Sequence, residues 1–315
     1  MSLPPATLSL DLDDAWTYMR AAGRPGWEAT RSVVPEVCAR LLAMLDRHGL
    51  RLTLFVIAAD LEHPDRVAAI RPFVERGHEI GCHSWHHEPT FAALQPERMR
   101  EEVLRAADLI EARLGVRPKG FRAPGFAWSP RLPAILREGG FHYDGSPLPT
   151  FLGPLCRAYY FFHSKMSKAE REQRKAMYGG IKDAFQSLRP SRYPGAPELW
   201  SLPVTTIPLL RTPFHTSYVV WLSRFSRGLA SFYLRLGLGL CRLRGVAPSY
   251  LLHSLDFVGN GEHRDLDFFP GMDVAWARKE AILEDTLTAL RARFTVLPMG
   301  EYLAPGRGIA ARAAS

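Results

Sequence analysis

The chain has 315 residues, 47% hydrophobic and 23% charged, which are proportions typical of globular proteins with a sizeable core. This composition excludes a largely disordered chain, and four widely spaced cysteines exclude a dense disulfide scaffold. The formal charge of +8 and the pI near 9.5 favour acidic partners such as nucleic acid, phosphorylated substrates or anionic lipid.

Strand-like apolar runs alternate with helical patterns along the chain. In chain order the predicted elements are a strand at 8–12, a helix at 33–49, a strand at 51–58, a helical run at 67–77, a strand at 78–84, a helix at 98–115, a strand at 119–125, a helix at 131–140, and strands at 141–146, 199–205, 250–257 and 294–298. The alternation indicates βα units. We therefore expect an α/β fold, namely a distorted (β/α) barrel of about seven or eight parallel strands with a large insertion.

The expected barrel is a single catalytic domain over residues 1–304. An aromatic, basic and partly helical insertion at about 148–248 interrupts its alternation, and residues 305–315 form a flexible tail. The first residues lack the basic and apolar regions of a signal peptide, and no transmembrane helix is expected. We therefore expect a cytoplasmic protein.

Polar side chains stand at or just after the ends of the predicted strands. They are Asp11, Asp13, His83, Arg122, Asp144 and His253. In a parallel barrel these strand ends converge on one rim, where such folds assemble active sites. The two-residue repeat of a strand also aims Asp11 and Asp13 at the same face.

Three histidines occur within five positions in the stretch EIGCHSWHHE. If the segment after Ser84 is helical, His83 and His87 fall at positions i and i+4 on one face, and His86 points elsewhere. Together with one aspartate, two imidazoles suit Zn²⁺, Fe²⁺ or Co²⁺ with coordination positions left open. The sequence therefore predicts a metal site at this rim.

Five short motifs, in order, resemble those of the polysaccharide deacetylases of carbohydrate esterase family 4, also called the NodB homology domain. The motifs are SLDLD, CHSWHH, FRAPG, YDGS and LLHS. The resemblance covers roughly residues 8–146 and 250–303. It implies a metal-dependent hydrolase that acts on a carbon–nitrogen bond, removing an acetyl or formyl group from an N-acylated amino sugar.

The resemblance also implies roles for individual residues. These are Asp11 as catalytic base, Asp13, His83 and His87 as metal ligands, Arg122 as partner of Asp11, Asp144 as partner of His253, His253 as catalytic acid, and Pro124, Gly125 and Trp128 as substrate contacts. The commonest first motif has two adjacent aspartates, so Asp13 and Asp14 remain an alternative choice for base and ligand. One divalent ion is expected, zinc ahead of cobalt, iron, manganese or nickel.

The insertion suggests a second kind of contact. A helix that starts near Ser217 would place its arginines within about an 80° arc and its aromatic residues on a different side, as in helices that lie in a membrane interface. The expected contacts with an anionic membrane surface are Trp221, Arg224, Phe225, Arg227, Phe232 and Arg235. A helix docked on the barrel is the alternative, and nucleic acid is not expected because no binding motif accompanies the charge.

These patterns lead to a specific expectation about the substrate. We expect an N-acylated sugar carried on polyprenyl phosphate and a protein peripheral to the inner face of the plasma membrane. The alternatives are a non-catalytic carbohydrate- or lipid-binding barrel and an esterase that uses the same metal site. The sequence leaves open the acyl group, the sugar, the metal and the oligomeric state.

Overall fold

A mostly parallel β-sheet forms the centre of the computed structural model, which describes residues 3–162, 167–174 and 180–305. The strands are β1 (Pro5–Leu12), β2 (Thr53–Val56), β3 (Glu79–Cys82), β4 (Gly120–Phe121), β5 (Tyr143–Asp144), β6 (Ser191–Tyr193), β7 (Ala196–Ser201), β8 (Ser249–His253) and β9 (Thr295–Leu297). Their order is β6-β7-β5-β4-β3-β2-β1-β8, and β9 pairs with the start of β1. Within the described ranges, every pairing is parallel except that of β6 with β7.

Helices connect the strands and cover the sheet. They are α1 (Ala15–Ala21), α2 (Val34–His48), α3 (Pro64–Glu75), α4 (Pro96–Leu114), α5 (Leu132–Glu138), α6 (Gly153–Phe162), α7 (Lys168–Gln173), α8 (Thr216–Ser223), α9 (Arg227–Leu243), α10 (Trp276–Arg291) and α11 (Met299–Leu303). Beyond β7, Thr205 and Ser249 exchange hydrogen bonds of 3.1 and 2.7 Å, which draw the β7 side of the sheet toward β8. The sheet therefore curls into an incomplete barrel, which confirms the predicted fold class.

The central strand β1 has one apolar and one polar face because its side chains alternate. Leu8, Leu10 and Leu12 point into the main hydrophobic core. Ser9 and Asp11 point to the opposite face, where both contact Arg122. The strand is buried on both faces, so its polar side chains must find partners inside the protein.

Helix α2 shows why the predicted helices lie close to the observed ones. Its buried residues Val34, Val37, Leu41 and Leu45 recur every three or four positions and so form one apolar stripe. Gly49 ends the helix in the left-handed conformation, with φ of 60°, which glycine adopts without a steric cost. The helix predicted at 33–49 therefore differs from α2 by one residue at each end.

The parallel register brings the polar strand ends together. Asp11 of β1 lies opposite His253 of β8, and Asp144 of β5 lies opposite Phe121 of β4, whose other neighbour is Cys82 of β3. His83 and Arg122 directly follow β3 and β4. Residues far apart in sequence thus meet at one rim of the sheet.

The prediction of a single helix starting near Ser217 is wrong. The chain forms α8 and α9 instead, with a break at Arg224, Phe225 and Ser226, and the Ser226 hydroxyl accepts the Leu229 N–H at 3.4 Å as a new N-cap. Serine favours such a cap over a helix interior. Helix α9 buries the side that carries Leu234 and Leu238 and exposes the other.

The break changes the environment of the predicted membrane contacts. Arg224 pairs with Asp273 at 2.7 Å and Arg227 pairs with Asp285 at 2.8 Å. Trp221, Phe225 and Phe232 are exposed, and the rings of the first two lie 5.1 Å apart. Among the described residues, no helix has the length and apolar content needed to cross a bilayer.

The predicted division into one domain over 1–304 with an insertion at 148–248 stays a prediction. The described part of that insertion contains α6 to α9 together with the antiparallel pair β6 and β7. Of the predicted tail, residues 306–315 lie outside the described part of the chain.

Candidate active site

The three predicted metal ligands form a largely buried cluster at the rim. Asp13 Oδ1 lies 3.3 Å from His83 Nε2 and 3.3 Å from His87 Nε2. One ligand atom from each residue lies within 4.8 Å of the others. One carboxylate and two imidazoles at these separations form a donor set that suits a divalent transition metal.

The hydrogen bond of His83 Nδ1 leaves Nε2 available to bind a metal ion. Its Nδ1–H donates to the main-chain carbonyl of Arg122 at 2.7 Å, and a carbonyl can only accept. Nε2, which faces Asp13, therefore carries the lone pair of the neutral ring. A backbone partner for the second ring nitrogen is a common feature of histidines that bind metals.

The segment between His83 and His87 is a loop, so the helical i, i+4 geometry predicted for it is wrong. Ser84 and His87 have φ values of 64° and 48°, which no α-helix allows. The Ser84 hydroxyl accepts the His87 N–H at 3.1 Å and closes the loop. His86 does point elsewhere, and its ring nitrogen pairs with buried Glu102 at 2.9 Å.

Buried polar atoms of the cluster lack the hydrogen bonds that burial normally demands. Within the described part of the chain, Asp13 Oδ1 and His87 Nδ1 are buried without a hydrogen-bond partner. Such atoms are costly unless something else satisfies them. A cation between the three ligands would satisfy Asp13 Oδ1, so the residues present fit a metal ion.

Electrostatics at the cluster favour a positive charge. Burial would raise the pKa of Asp13, but the adjacent His87 and His83 lower it well below its usual value. Burial would lower the pKa of His83, but Asp11 and Asp13 raise it, whereas burial lowers the pKa of His87 to about 4. The carboxylates that attract a proton to His83 would equally attract a metal cation.

Asp14 does not take part in the cluster. Its side chain accepts the N–H groups of Ala15 and Val33, at 2.7 and 2.8 Å, and so caps α1. Its second oxygen lies 3.4 Å from the guanidinium of Arg66. The geometry therefore favours the pair Asp11 and Asp13 over the pair Asp13 and Asp14.

Asp11 is held by a fully buried arginine. Arg122 donates to Asp11 Oδ1 at 2.5 Å, to the Ser9 hydroxyl at 3.1 Å and to the Gly145 carbonyl at 3.0 Å. Its guanidinium also stacks 4.2 Å above the Phe55 ring. The Asp11 carboxylate is therefore fixed beside the cluster with one oxygen committed to the ion pair.

His253 lies on the neighbouring strand, opposite Asp11. Its ring Nδ1 is 3.1 Å from the hydroxyl of Ser217, and its main-chain N–H donates to the Asp256 carboxylate at 2.9 Å. The ring of Phe126 stands edge-on to it at 6.5 Å, and the ring of His215 lies at 4.9 Å.

Asp144 departs from its expected role as the partner of His253. Its carboxylate accepts the Ser146 N–H at 2.8 Å, the Ser146 hydroxyl, and the Tyr193 hydroxyl at 2.6 Å. Among the described residues, no hydrogen bond joins it to His253. Burial raises the pKa of Asp144 against the effect of these donors.

The third motif forms a tight turn next to the site. Pro124 begins a short 3₁₀ turn in which Gly125 and Phe126 have φ values of 56° and 58°. A positive φ in a phenylalanine is strained and is found mainly where function requires it. Phe126 and Trp128 line a cavity of about 460 Å³, and Tyr193 lines it from the insertion.

Three residues near the site escaped the sequence analysis. Ser217 and His215 come from the start of the insertion helix α8, which belongs to none of the five motifs. Tyr18 has a buried hydroxyl without a hydrogen-bond partner among the described residues. Burial raises its pKa, and the negative charges of Asp13, Asp256 and Asp11 raise it further, so this hydroxyl faces the site.

The similarities to known proteins concentrate on the part of the chain that carries the site. Residues 4–143 match the family model for polysaccharide deacetylase. A peptidoglycan deacetylase-like protein of Gibberella zeae is 34% identical over 110 residues, which cover 34% of this chain and 31% of that protein. A peptidoglycan deacetylase of Helicobacter pylori is 29% identical over 107 residues, covering 34% and 36%. The chain thus matches about a third of the length of these relatives.

The fold extends the similarity to nearly the whole chain. A solved structure of a candidate polysaccharide deacetylase from Mycobacterium smegmatis aligns with a TM-score of 0.56 and 18% identity, covering 95% of this chain and 93% of that one. The segment that matches the family model contains Asp11, Asp13, His83, His87 and Arg122. The N-terminal half of the chain is thus similar in sequence to polysaccharide deacetylases, and nearly the whole chain is similar in fold to the solved structure.

Proposed function

We propose that this protein hydrolyses the N-acyl amide, acetyl or formyl, of an amino sugar. The observation that carries the proposal is the cluster of Asp13, His83 and His87 with Asp11 and His253 on adjacent strands beside it. The names of the matched relatives, which describe peptidoglycan deacetylases, support an N-acylated glycan as the substrate class.

Asp13, His83 and His87 would hold one divalent ion, zinc ahead of cobalt, iron, manganese or nickel. In this position it would supply Lewis acidity, which makes water more acidic and polarises the acyl oxygen. The protein prepares the position by burying Asp13 and His83, by half-burying His87 and by fixing the His83 ring on the Arg122 carbonyl.

Asp11 and His253 would move the protons. An amide resists hydrolysis because water is a weak nucleophile and an amine is a poor leaving group, so one group must remove a proton and another must supply one. Asp11, oriented by Arg122, would accept the proton of the attacking water. His253 would donate a proton to the departing nitrogen through Nε2, because its Nδ1 faces Ser217.

The cavity beside the third motif would hold the sugar. Trp128 lines the cavity and is 44% exposed, so it offers an aromatic surface, and the turn at Pro124 and Gly125 sets the position of Phe126. Asp144 supports the cavity lining because it accepts the hydroxyl of Tyr193, a lining residue, at 2.6 Å. We therefore assign Asp144 to the cavity wall.

We further propose that the substrate is lipid-linked and that the insertion contacts an anionic membrane. Fourteen large apolar side chains are exposed among the described residues, and twelve of them lie within 148–248. The same range contains fifteen Lys and Arg against four Asp and Glu. Exposed apolar residues beside basic ones are typical of surfaces that insert between anionic headgroups.

The chemistry is tested by metal content and by product release. Purified protein should contain about one divalent ion per chain and release acetate or formate from N-acetyl or N-formyl amino sugars, free or lipid-linked. Asp11→Asn should keep the ion and turn over slowly. Metal binding without hydrolysis of any amide would favour a non-catalytic binding barrel, and hydrolysis of O-acyl substrates alone would favour an esterase.

The membrane contact is tested separately with vesicles. Wild-type protein should float with vesicles that contain phosphatidylglycerol at low salt, and less with pure phosphatidylcholine. The variant Trp221→Ser/Phe225→Ser/Phe232→Ser should lose flotation and activity on lipid-linked substrate while it keeps activity on a soluble one. The three apolar residues are changed rather than Arg224 and Arg227, because those arginines already pair with aspartates. The variant Arg235→Glu tests the remaining predicted arginine separately. Unchanged flotation of the triple variant would exclude this surface.

A further inference from the structure

The insertion helix α8 contacts the proposed catalytic acid directly. Ser217, in the first turn of α8, has its hydroxyl 3.1 Å from His253 Nδ1. The expected partner Asp144 is engaged by Ser146 and Tyr193 instead. The hydrogen-bond partner of His253 Nδ1 is thus a residue outside the five motifs.

Asp256 also contacts His253. It is buried and accepts the main-chain N–H of His253 at 2.9 Å. Burial raises the pKa of Asp256, whereas His253 and the Ser217 hydroxyl lower it, so this hydroxyl lies near the carboxylate. A carboxylate can only accept, so it favours an orientation in which the Ser217 O–H points toward Asp256 and the Ser217 oxygen accepts from His253 Nδ1–H at 3.1 Å. Ser217 thus contacts the His253 ring while Asp256 binds its main-chain N–H.

We propose that Ser217, supported by Asp256, is the positioning residue that orients His253 and fixes its Nδ1–H tautomer. This inference rests on the proposed role of His253 as the acid. A ring held in this way presents Nε2 to the reacting atoms, as a histidine with a buried carboxylate partner does in other hydrolases.

The other neighbours of His253 do not provide this partner. His215 lies at 4.9 Å between ring centres, and burial, followed by the charges of His253 and Arg122, holds its pKa well below the usual value. His215 is therefore neutral, and it packs on Tyr218 at 4.6 Å. Phe126 offers only an aromatic edge.

The dependence on Ser217 makes the insertion part of the catalytic unit. Helix α8 also carries Trp221, one of the proposed membrane contacts, one turn further along. The same short helix thus reaches His253 at its start and the outer surface near its end.

The first test reads the tautomer of His253 without relying on activity. Protein labelled with ¹⁵N-histidine, with the His253 resonance assigned from His253→Gln, should show a protonated Nδ1 in the neutral ring. Ser217→Ala should shift the ring toward a protonated Nε2 or a mixture, and Ser217→Thr should restore the wild-type pattern. Ser223→Ala is the matched control, because it removes a buried hydroxyl of the same helix that donates to the Val220 carbonyl.

The second test reads catalysis on a soluble N-acyl sugar. Ser217→Ala should lower kcat by about 10- to 100-fold with little change in KM, which is less than loss of the acid itself would cost. Ser217→Thr should recover most of the rate and Ser223→Ala should keep it. Asp256→Asn provides a second variant, expected to lower kcat in the same way.

The outcomes separate this inference from the proposed function. An unchanged His253 tautomer together with an unchanged kcat in Ser217→Ala would overturn the positioning role. Should no N-acyl sugar be hydrolysed by the wild type while the tautomer still responds to Ser217→Ala, the positioning role stands and the proposed reaction fails.

Discussion

The β/α framework, residues 3–147 and 249–304, and the insertion, residues 148–248, use the same residue types in opposite ways. In the framework Arg122 is fully buried and bound to Asp11, and Phe55 is buried beneath it. In the insertion Arg227 is exposed with an exposed partner, and Phe225 is 67% exposed.

Formal charge follows the same division. Residues 148–248 carry fifteen basic and four acidic residues, hence +11, and the rest of the chain carries 25 and 28, hence −3. The framework thus buries an Arg–Asp pair at the site, whereas the insertion carries the excess positive charge together with most of the exposed large apolar side chains. The comparison teaches that the first region is constrained by chemistry and the second by the surface that it presents.

The largest expected effect lies in the framework cluster. His87→Ala should abolish stoichiometric metal binding and lower amide hydrolysis by about 1,000-fold or more, because it removes one of three ligands. His86→Ala is the matched control: the adjacent histidine pairs with Glu102 and should leave both quantities within a few-fold of wild type. Metal analysis and acetate release measure the difference, and equal effects of both changes would remove His87 from the site.

A buried framework arginine should matter for stability as well. Arg122→Met leaves the Asp11 carboxylate buried without its cation and should lower the free energy of unfolding by about 3–5 kcal/mol. Urea denaturation measures the loss. Adding Asp11→Asn should recover part of it, since the neutral amide no longer needs the charge, and the absence of any recovery would contradict this explanation.

Two glycines on α9 test how this helix packs against the rest of the insertion, where Phe214 also lies. A Cβ at Gly237 would lie 2.7 Å from Phe214 Cδ2, so Gly237→Ala should destabilise the protein by about 1–3 kcal/mol. A Cβ at Gly239 meets nothing within 4 Å, so Gly239→Ala should stabilise it by about 0.5–1 kcal/mol. Thermal or urea unfolding measures both variants. Stabilisation by both would mean that α9 does not pack on Phe214.

The smallest effect is expected at an exposed arginine of the insertion. Arg227→Ala should change the free energy of unfolding by less than about 1 kcal/mol, because its pair with Asp285 is open to solvent. A double-mutant cycle with Asp285→Ala measures the coupling. A loss as large as that of Arg122→Met would erase the contrast between the two regions.

The framework was largely predictable because its signals are local. Each predicted strand of the sheet has an observed counterpart, and the ends of α2 and α4 are marked by Gly49 and Gly115 in the left-handed conformation. Strand β6 was missed because Ser191–Tyr193 is short, polar and largely exposed, so it carries no apolar alternation.

The site was predictable where a parallel sheet dictates it. Strand ends must share a rim, so Asp13, His83 and His87 could be placed together from sequence. The loop that closes on Ser84 was not predictable, because its positive φ values arise from tertiary contacts. Ser217 was not either, since its contact with His253 joins residues 36 positions apart across the insertion.

One main-chain contact makes the two halves of the site separable by mutation. The His83 ring is anchored by the carbonyl of residue 122, which every amino acid possesses, whereas Asp11 is anchored by the guanidinium that only arginine supplies. Replacement of the Arg122 side chain should therefore leave the three metal ligands in place and disable only Asp11, the proton acceptor. A substitution at this single position can thus yield a protein that binds the metal but does not hydrolyse the amide, a useful form in which to capture an uncleaved substrate.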